Sequence, residues 1–264
     1  RFLIPPFPAG EIAPALRVFD AVSSHAVDCG HTVSYYYHDK DPALCFDAAV
    51  PFGLTAAQMN AWMFDADGLS LTRAMFKPFG IVNLPMGNTG VQLGGWYRKE
   101  IKTVADFKGL RMGAPGLAGQ VLARLGAAPQ ALAGDELLSA LGSGALEAAE
   151  SAGPTDDEAQ GIHQMARYCY FPGWRTGGTQ VSLYLNEGAW HGLPRAYQAI
   201  IEAASRSAND LALRGPQSGG VAPAGRRGRR VAGFPPGRGG RRVRRGGPGL
   251  SGAFGAEPAV QGPA

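Results

Sequence analysis

The chain has 264 residues, of which 45% are hydrophobic, and a formal net charge of +4, which suits one large domain or two smaller ones. No apolar stretch approaches the ~18 residues of a membrane-spanning helix, and three scattered cysteines, Cys29, Cys45 and Cys169, exclude a disulfide framework and a cysteine-based zinc site. The chain starts at Arg1 without a signal peptide, so we expect a mature or truncated product.

The hydrophobic pattern alternates between helices and strands along most of the chain. It predicts helices at Glu11 to Val27, Thr55 to Ala66, Ser70 to Lys77, Leu117 to Leu125, Asp135 to Leu141 and Pro194 to Leu213. It predicts strands at Arg1 to Phe7, His31 to Tyr37, Ile81 to Leu84, Leu110 to Met112, Leu146 to Glu150, Tyr168 to Phe171 and Gln180 to Asn186. This alternation is typical of an α/β protein.

A short internal similarity indicates two related units. Phe19 to His31 aligns without gaps on Leu138 to Glu150, with alanine or serine matched at three positions. In both segments the pattern predicts a helix end, a turn and a strand, which suggests two lobes of similar α/β construction. Ligands of open α/β sheets bind beyond the carboxyl ends of the strands, so His31 and Glu150, which lie at equivalent places in the two segments, are expected to face one cleft from opposite lobes.

The last 49 residues differ in kind from the rest. Residues 216–264 hold nine arginines and one acid, a net charge of +8, whereas the first 215 residues carry a net charge of −4. Gly, Arg, Pro and Ala dominate this tail, which predicts disorder. An arginine- and glycine-rich nucleic-acid-binding arm is one interpretation. The other is a gene of high GC content translated out of frame, which we favour because aromatic residues for stacking are almost absent.

The most unusual stretch of the body is Pro85 to Glu100, which contains four glycines and the polar or aromatic residues Asn88, Gln92 and Trp96. Glycines allow close backbone approach, and amides both donate and accept hydrogen bonds, so the stretch suits the wall of a site for a small polar ligand. The chain shows no phosphate-binding loop, no metal-ligand spacing of its histidines and no nucleophile with a general base. This inventory favours binding over catalysis.

Four segments together resemble the substrate-binding proteins of TRAP (tripartite ATP-independent periplasmic) transporters. They are SYYYHDKDPA from Ser34, VPFGLTAAQMNAWM from Val50, GNTGVQLGGWYRKEI from Gly87 and YFPGW from Tyr170. The similarity covers about residues 1–215 and is greatest to the branch that binds α-keto acids and related small organic acids, often with sodium.

The resemblance implies a two-lobed α/β fold of the periplasmic-binding-protein type that closes around its ligand by hinge motion. We expect lobe I at residues 1–84 without its first strand and helix, and lobe II at residues 85–180. Residues 181–215 are expected to form a crossover strand and a long helix that returns towards lobe I, followed by the disordered tail at 216–264.

Carried over residue by residue, the resemblance implies ligand contacts from Asn88, Gln92, Trp96, Glu150 and Trp174, with Gln92 and Glu150 also contacting a cation such as Na⁺. No other cofactor is expected. The arginine that anchors the ligand carboxylate in the family falls on Gly113 here, and an arginine fork cannot be replaced by glycine. Arg111, two residues away on the same predicted strand, is the candidate to take its place.

The resemblance thus implies a periplasmic receptor, not an enzyme, that passes a small organic acid to TRAP permease subunits. A homodimer is a further expectation, and nucleic acid is not an expected partner. Two alternatives stay open at this point: a truncated or frameshifted relative without a ligand, and nucleic-acid binding through the tail.

Overall fold

The computed structural model describes residues 2–90, 92–150, 153–214 and 230–232. The strands are β1 (Cys29–Thr32), β2 (Ile81–Asn88), β3 (Trp96–Tyr97), β4 (Arg111–Gly113), β5 (Ala128–Gln130), β6 (Ala148–Ala149), β7 (Tyr168–Tyr170), β8 (Gln180–Asn186) and β9 (Arg230–Ala232). The α-helices are α1 (Val18–Ser23), α2 (Ala56–Asp65), α3 (Gly68–Phe76), α4 (Gly116–Arg124), α5 (Gly134–Ser143), α6 (Pro154–Ala159), α7 (Ile162–Met165), α8 (Glu187–Gly192) and α9 (Arg195–Arg214). The α/β class predicted from the sequence is confirmed.

The strands form two sheets. In the first, β8 lies between β1 and β2 and is antiparallel to both. The second has the order β5-β4-β6-β3-β7-β9, in which β4 is parallel to β5 and β6 while β3 is antiparallel to β6 and β7. Each sheet has its own aromatic packing: Phe19, Phe76 and Tyr184 contact one another against the first sheet, and Tyr97 contacts Tyr170 in the second.

The internal similarity predicted from the sequence corresponds to matching backbone turns. In the first copy, α1 leads through His25 to β1, and His25 has a left-handed backbone with φ of 60°. In the second copy, α5 leads through Gly144, the residue aligned with His25, whose φ is 83°, to β6. A left-handed residue is a common way to end a helix, so both copies leave their helix by the same kind of turn.

Two predicted strands are wrong. Residues 2–7 have no regular structure, because prolines 5 and 6 cannot donate backbone hydrogen bonds to a sheet. The strand predicted at His31 to Tyr37 ends at Thr32, and Ser34–Tyr37 forms a 3₁₀ helix. This turn buries Tyr37, whose hydroxyl lies 2.8 Å from Thr32 Oγ1, while Tyr35 is directed to a cavity.

Within the described residues, no helix is both long and apolar enough to cross a bilayer. The long predicted helix near the C-terminal end of the body is present as α9, which packs on β2 of the first sheet. The predicted disordered tail lies outside the described residues, apart from the short strand β9, which pairs in parallel with β7.

Candidate functional site: a small polar cavity with a buried ion pair

A cavity of about 200 Å³ lies between the Tyr35–Tyr36 turn and the ends of several elements of the second sheet. Its wall combines aromatic, amide, hydroxyl and apolar side chains with one carboxylate and one guanidinium. The lining residues are Val33, Tyr35, Tyr36, Thr89, Gln92, Pro115, Leu132, Ala133, Gly134, Leu137, Glu150, Gln160, Arg175 and Thr179.

The charged groups of the cavity form a buried ion pair. Arg175 Nε lies 3.0 Å from Glu150 Oε2, and each residue is only 5% exposed. The guanidinium also donates through Nη2 to the side-chain oxygen of Gln92 and through Nη1 to the hydroxyl of Tyr35 at 3.4 Å, with the Tyr35 ring 5.8 Å from the guanidinium carbon. Arg175 therefore connects both sides of the cavity.

Burial and the pairing act in opposite directions on the two ionisable groups. Burial raises the pKa of Glu150 to about 7, although the positive charge of Arg175 lowers it. Burial also lowers the pKa of Arg175, but the charge of Glu150 and the interactions with Tyr35, including a hydrogen bond to its hydroxyl, outweigh this effect, so the pKa of Arg175 is raised. The guanidinium is a permanent cation in this wall.

A close backbone approach brings Arg175 to Gln92. The Gly173 N–H donates to the Gln92 carbonyl oxygen at 3.0 Å, and a Cβ at Gly173 would lie 2.5 Å from that same oxygen. Only glycine fits this contact. On the other side of the segment, the Phe52 N–H donates to the Trp174 carbonyl oxygen at 2.8 Å, which fixes the chain immediately before Arg175.

Two helices begin at the cavity wall. Pro115 is the N-cap of α4 and Ala133 is the N-cap of α5, and both line the cavity. The backbone N–H groups and the dipole at a helix N-terminus favour a negative charge. These helix ends and Arg175 all suit an anion, whereas Glu150 opposes one unless a positive charge offsets it.

Of the residues predicted to bind the ligand, the structure brings Gln92 and Glu150 together in the cavity wall. Asn88 and Trp96 are buried elsewhere. The Asn88 side-chain oxygen accepts from the Gly90 N–H at 2.9 Å and so closes the turn after β2. Trp96 packs in the core of the second sheet, and its Nε1 donates to Asp157 Oδ2 at 2.6 Å.

Trp174 and Arg111 also lie outside the cavity wall. Trp174 is half-buried, with its ring 6.1 Å from that of Phe52. Arg111 is exposed on β4, where its Nε lies 3.6 Å from Glu147 Oε2 and its Nη2 donates to the Gly144 carbonyl oxygen at 3.2 Å. Arg111 therefore has surface partners and does not reach the cavity that it was expected to serve.

The position of the family's arginine is filled by a neighbouring side chain. A Cβ at Gly113 would lie 2.1 Å from Leu137 Cδ1 and 3.2 Å from Leu146 Cδ1. Leu137 itself lines the cavity. An arginine at position 113 would thus have to displace Leu137.

Arg175, Tyr35 and Thr89 line the cavity but were not predicted from the sequence. Tyr35 belongs to one of the motifs that carried the resemblance, but the strand predicted there did not show which way its side chain points. Arg175 directly follows the Phe-Pro-Gly-Trp bend at 171–174. The available signal was the position of Arg175 between this bend and the small residues at 176–179. Nothing in the local sequence, however, shows that Arg175 is buried.

The fold is similar to solved structures of TRAP solute-binding proteins. One, from Bordetella bronchiseptica, has a TM-score of 0.79 and 42% identity, with 89% of this chain and 70% of that chain covered; it is a dimer with calcium and picolinate bound in one site and the other site apo. Another, from Pseudoalteromonas atlantica, has a TM-score of 0.78 and 38% identity, with 83% and 68% covered, and contains sodium and pyruvate.

A sequence relative from a Nostoc species is a monocarboxylate 2-oxoacid-binding periplasmic protein, 49% identical over 209 residues. The match covers 79% of this chain and 57% of that relative, so the chain spans little more than half the relative's length. The family profile of the bacterial extracellular solute-binding proteins, family 7, matches residues 1–215. The predicted resemblance, the fold class and the periplasmic type of protein are confirmed, and the chain belongs to the bacterial extracellular solute-binding proteins of family 7.

Proposed function

We propose that this chain acts as a periplasmic receptor that binds a small monocarboxylic 2-oxo acid in the cavity and delivers it to a TRAP membrane permease. The observation that carries the proposal is the buried Arg175 guanidinium in the wall of a small cavity. A guanidinium holds a carboxylate by paired, charge-assisted hydrogen bonds. The 2-oxoacid-binding relative and the structure with pyruvate point to the same class of ligand.

The rest of the wall supports a small acid with a short apolar group. The Tyr35 hydroxyl and the Thr89 side chain are suited to the polar end of a ligand, and Leu132 and Leu137 to its carbon chain. A volume of about 200 Å³ is below the ~300–1,000 Å³ typical of sites for drug-sized ligands. Among the described residues of the wall, Arg175 is the one cation and Glu150 already shares it. A second ligand carboxylate would add a further negative charge without a counter-charge, which favours a monocarboxylate.

The predicted binding of a cation by Gln92 and Glu150 competes with the contacts that both residues make to Arg175. Contacts from Asn88, Trp96 and Trp174 stay predictions for this chain, as does a homodimer of the kind seen in the Bordetella relative. The alternative of nucleic-acid binding falls on the tail, which lies outside the described residues except for 230–232. The alternative of a relic without a ligand is tested by the same experiment as the proposal.

The test is a thermal-unfolding titration of the full chain with pyruvate, 2-oxobutyrate and 2-oxoisovalerate, in buffers containing sodium and calcium. Ligand at a hundredfold excess over its Kd should stabilise the fold by about 2.7 kcal/mol. Pyruvamide, which has nearly the same shape without the charge, and succinate, which has two carboxylates, serve as controls and should give much smaller shifts. A protein that melts cooperatively and responds to none of the 2-oxo acids would contradict the proposal and favour the relic.

A further inference from the structure

Gln92 and Glu150, the two residues expected to hold a metal ion, are both engaged by a side chain of this protein. The amide oxygen of Gln92 accepts from Arg175 Nη2, and Glu150 Oε2 lies 3.0 Å from Arg175 Nε. Gln92 and Glu150 are 2% and 5% exposed, so the contacts are made away from bulk water. The guanidinium and a metal ion would compete for the same two oxygens.

Amide and carboxylate oxygens are suitable ligands for hard cations, so their chemistry alone fits the sodium and calcium found in the relatives. The space around them does not fit. Calcium binds oxygens at about 2.3–2.6 Å, and an ion that close to both oxygens would meet the Arg175 nitrogens that already contact them. Among the described residues, no group of three or more His, Cys, Asp or Glu side chains is arranged to hold a metal.

We infer that the Arg175 guanidinium takes the place of the metal ion, so that this receptor binds its acid without sodium or calcium. A guanidinium supplies one positive charge, as sodium does, and offsets the charge of Glu150. It also offers a planar set of N–H donors suited to a carboxylate.

Arg175 is held in this position from several sides. The Gly173 contact places the backbone of its segment against Gln92, and the Tyr35 ring and hydroxyl contact the guanidinium across the cavity. The Thr176 hydroxyl donates to the Gly178 carbonyl oxygen at 2.9 Å and accepts from the Gly178 N–H at 3.1 Å. These contacts fix the path of the chain on both sides of Arg175, so the fold itself holds the guanidinium in the cavity wall.

The decisive experiment measures binding of Ca²⁺ alone by isothermal titration calorimetry, in sodium-free buffer, to the wild-type chain and to Arg175→Met. The wild-type chain should show no Ca²⁺ binding that depends on Glu150, judged against Glu150→Gln. Arg175→Met keeps much of the side-chain length but removes the charge, so it should acquire a Ca²⁺ site, which the double variant with Glu150→Gln should lose. The exposed Arg17, paired with Asp20 at 3.1 Å, provides the matched control Arg17→Met, which should behave as wild type.

A second arm uses pyruvate and rests on the proposed function. In buffer with chelator and without sodium, Arg175→Met should bind pyruvate at least about 25-fold more weakly than wild type, and added Ca²⁺ should restore part of the affinity. Glu150-dependent Ca²⁺ binding to the wild-type chain, or none to a folded Arg175→Met, would overturn the inference. If Arg175→Met does not fold, Arg175→Gln replaces it. Failure of every 2-oxo acid to bind would contradict the proposed function, whereas the Ca²⁺ arm would still decide the inference.

Discussion

The two buried carboxylates Asp47 and Glu150 show how the same chemical group is used in two ways. Asp47, beside the first sheet, is fully buried and accepts hydrogen bonds from Asn83 Nδ2 at 3.1 Å and Ser182 Oγ at 3.3 Å. Glu150, beside the second sheet, has a guanidinium as its partner. Burial raises both pKa values, that of Asp47 to about 6 and that of Glu150 to about 7. The partners, not the pKa values, distinguish them.

This difference indicates different roles. Neutral donors hold the Asp47 carboxyl in the packing between β2 and β8, and it does not line the cavity. The Arg175–Glu150 pair costs desolvation on both ions, and such pairs are often no more stable than well-packed apolar side chains. We therefore expect Asp47 to serve folding and the ion pair to serve ligand binding.

The largest expected effect comes from breaking the ion pair on one side. Glu150→Leu leaves Arg175 buried without its carboxylate and should lower the free energy of unfolding by about 3–5 kcal/mol. Adding Arg175→Met in the same chain should recover most of this loss, because two apolar side chains replace two ions. Urea denaturation of the single and double variants measures both values. A double variant no more stable than Glu150→Leu would show that the pair is needed for folding.

Asp47 should make stability depend on pH. The pKa of Asp47 is about 6 in the folded protein and 3.8 for the ordinary group. At pH values between these two, the folded state therefore binds more protons than the unfolded state. Stability should fall as pH rises from 4 to 7, by about 2.4 kcal/mol from this group. The nearby Tyr184, whose pKa is raised well above its ordinary value by burial and by the charge of Asp47, does not titrate in this range.

The measurement is a set of urea denaturations of wild type and Asp47→Asn at pH 4, 5, 6 and 7. The difference between the two proteins isolates Asp47 from the other acids. The free energy of unfolding of Asp47→Asn relative to wild type should increase as pH rises. A difference that does not change with pH would contradict a raised pKa for Asp47.

A smaller effect is expected at the position of the family's arginine. Gly113→Ala should destabilise the fold by about 1–3 kcal/mol, since the new methyl group must displace Leu137 Cδ1 from a packed wall. Gly142→Ala is the matched control, because its Cβ would find Met165 Sδ at an ordinary 3.7 Å, and alanine favours the helix α5. Denaturation midpoints of the two variants give the comparison, and equal values would argue against close packing at Gly113.

The smallest effect is expected at Arg111. Its ion pair with Glu147 is exposed, and such pairs contribute about 0–1 kcal/mol. Arg111→Met should therefore change stability little and should leave pyruvate affinity within about twofold of wild type, as its charge does not reach the cavity. Calorimetry of the variant beside Arg175→Met tests this, and a large loss of affinity in Arg111→Met would restore Arg111 as a candidate anchor.

Local patterns predicted most of the secondary structure, because the forces that set it are local. Helix α2, for example, begins at Thr55 with a capping box in which the Gln58 N–H donates to Thr55 Oγ1 at 3.3 Å and the Thr55 N–H donates to Gln58 Oε1 at 3.0 Å. The motifs of the family likewise led to Gln92 and Glu150.

The parts of the site that were missed depend on contacts between distant residues. Arg175 meets Gln92 from 83 positions away in the chain and Tyr35 from 140, and no local pattern reports such a meeting. Equally, the alternation of a strand places Arg111 and Gly113 on one face, but only the packing of Leu137 shows what fills the space at Gly113.

A calorimetric titration of the wild-type chain with pyruvate tests whether Arg175 is the cation of this site. One titration is made in choline chloride with chelator, and the other in sodium chloride with calcium. If Arg175 supplies the cation, pyruvate should bind saturably in both buffers, with Kd values within about twofold of each other. Binding only in the presence of sodium or calcium would show that Arg175 does not replace the metal ion, and would return Gln92 and Glu150 to the role of metal ligands.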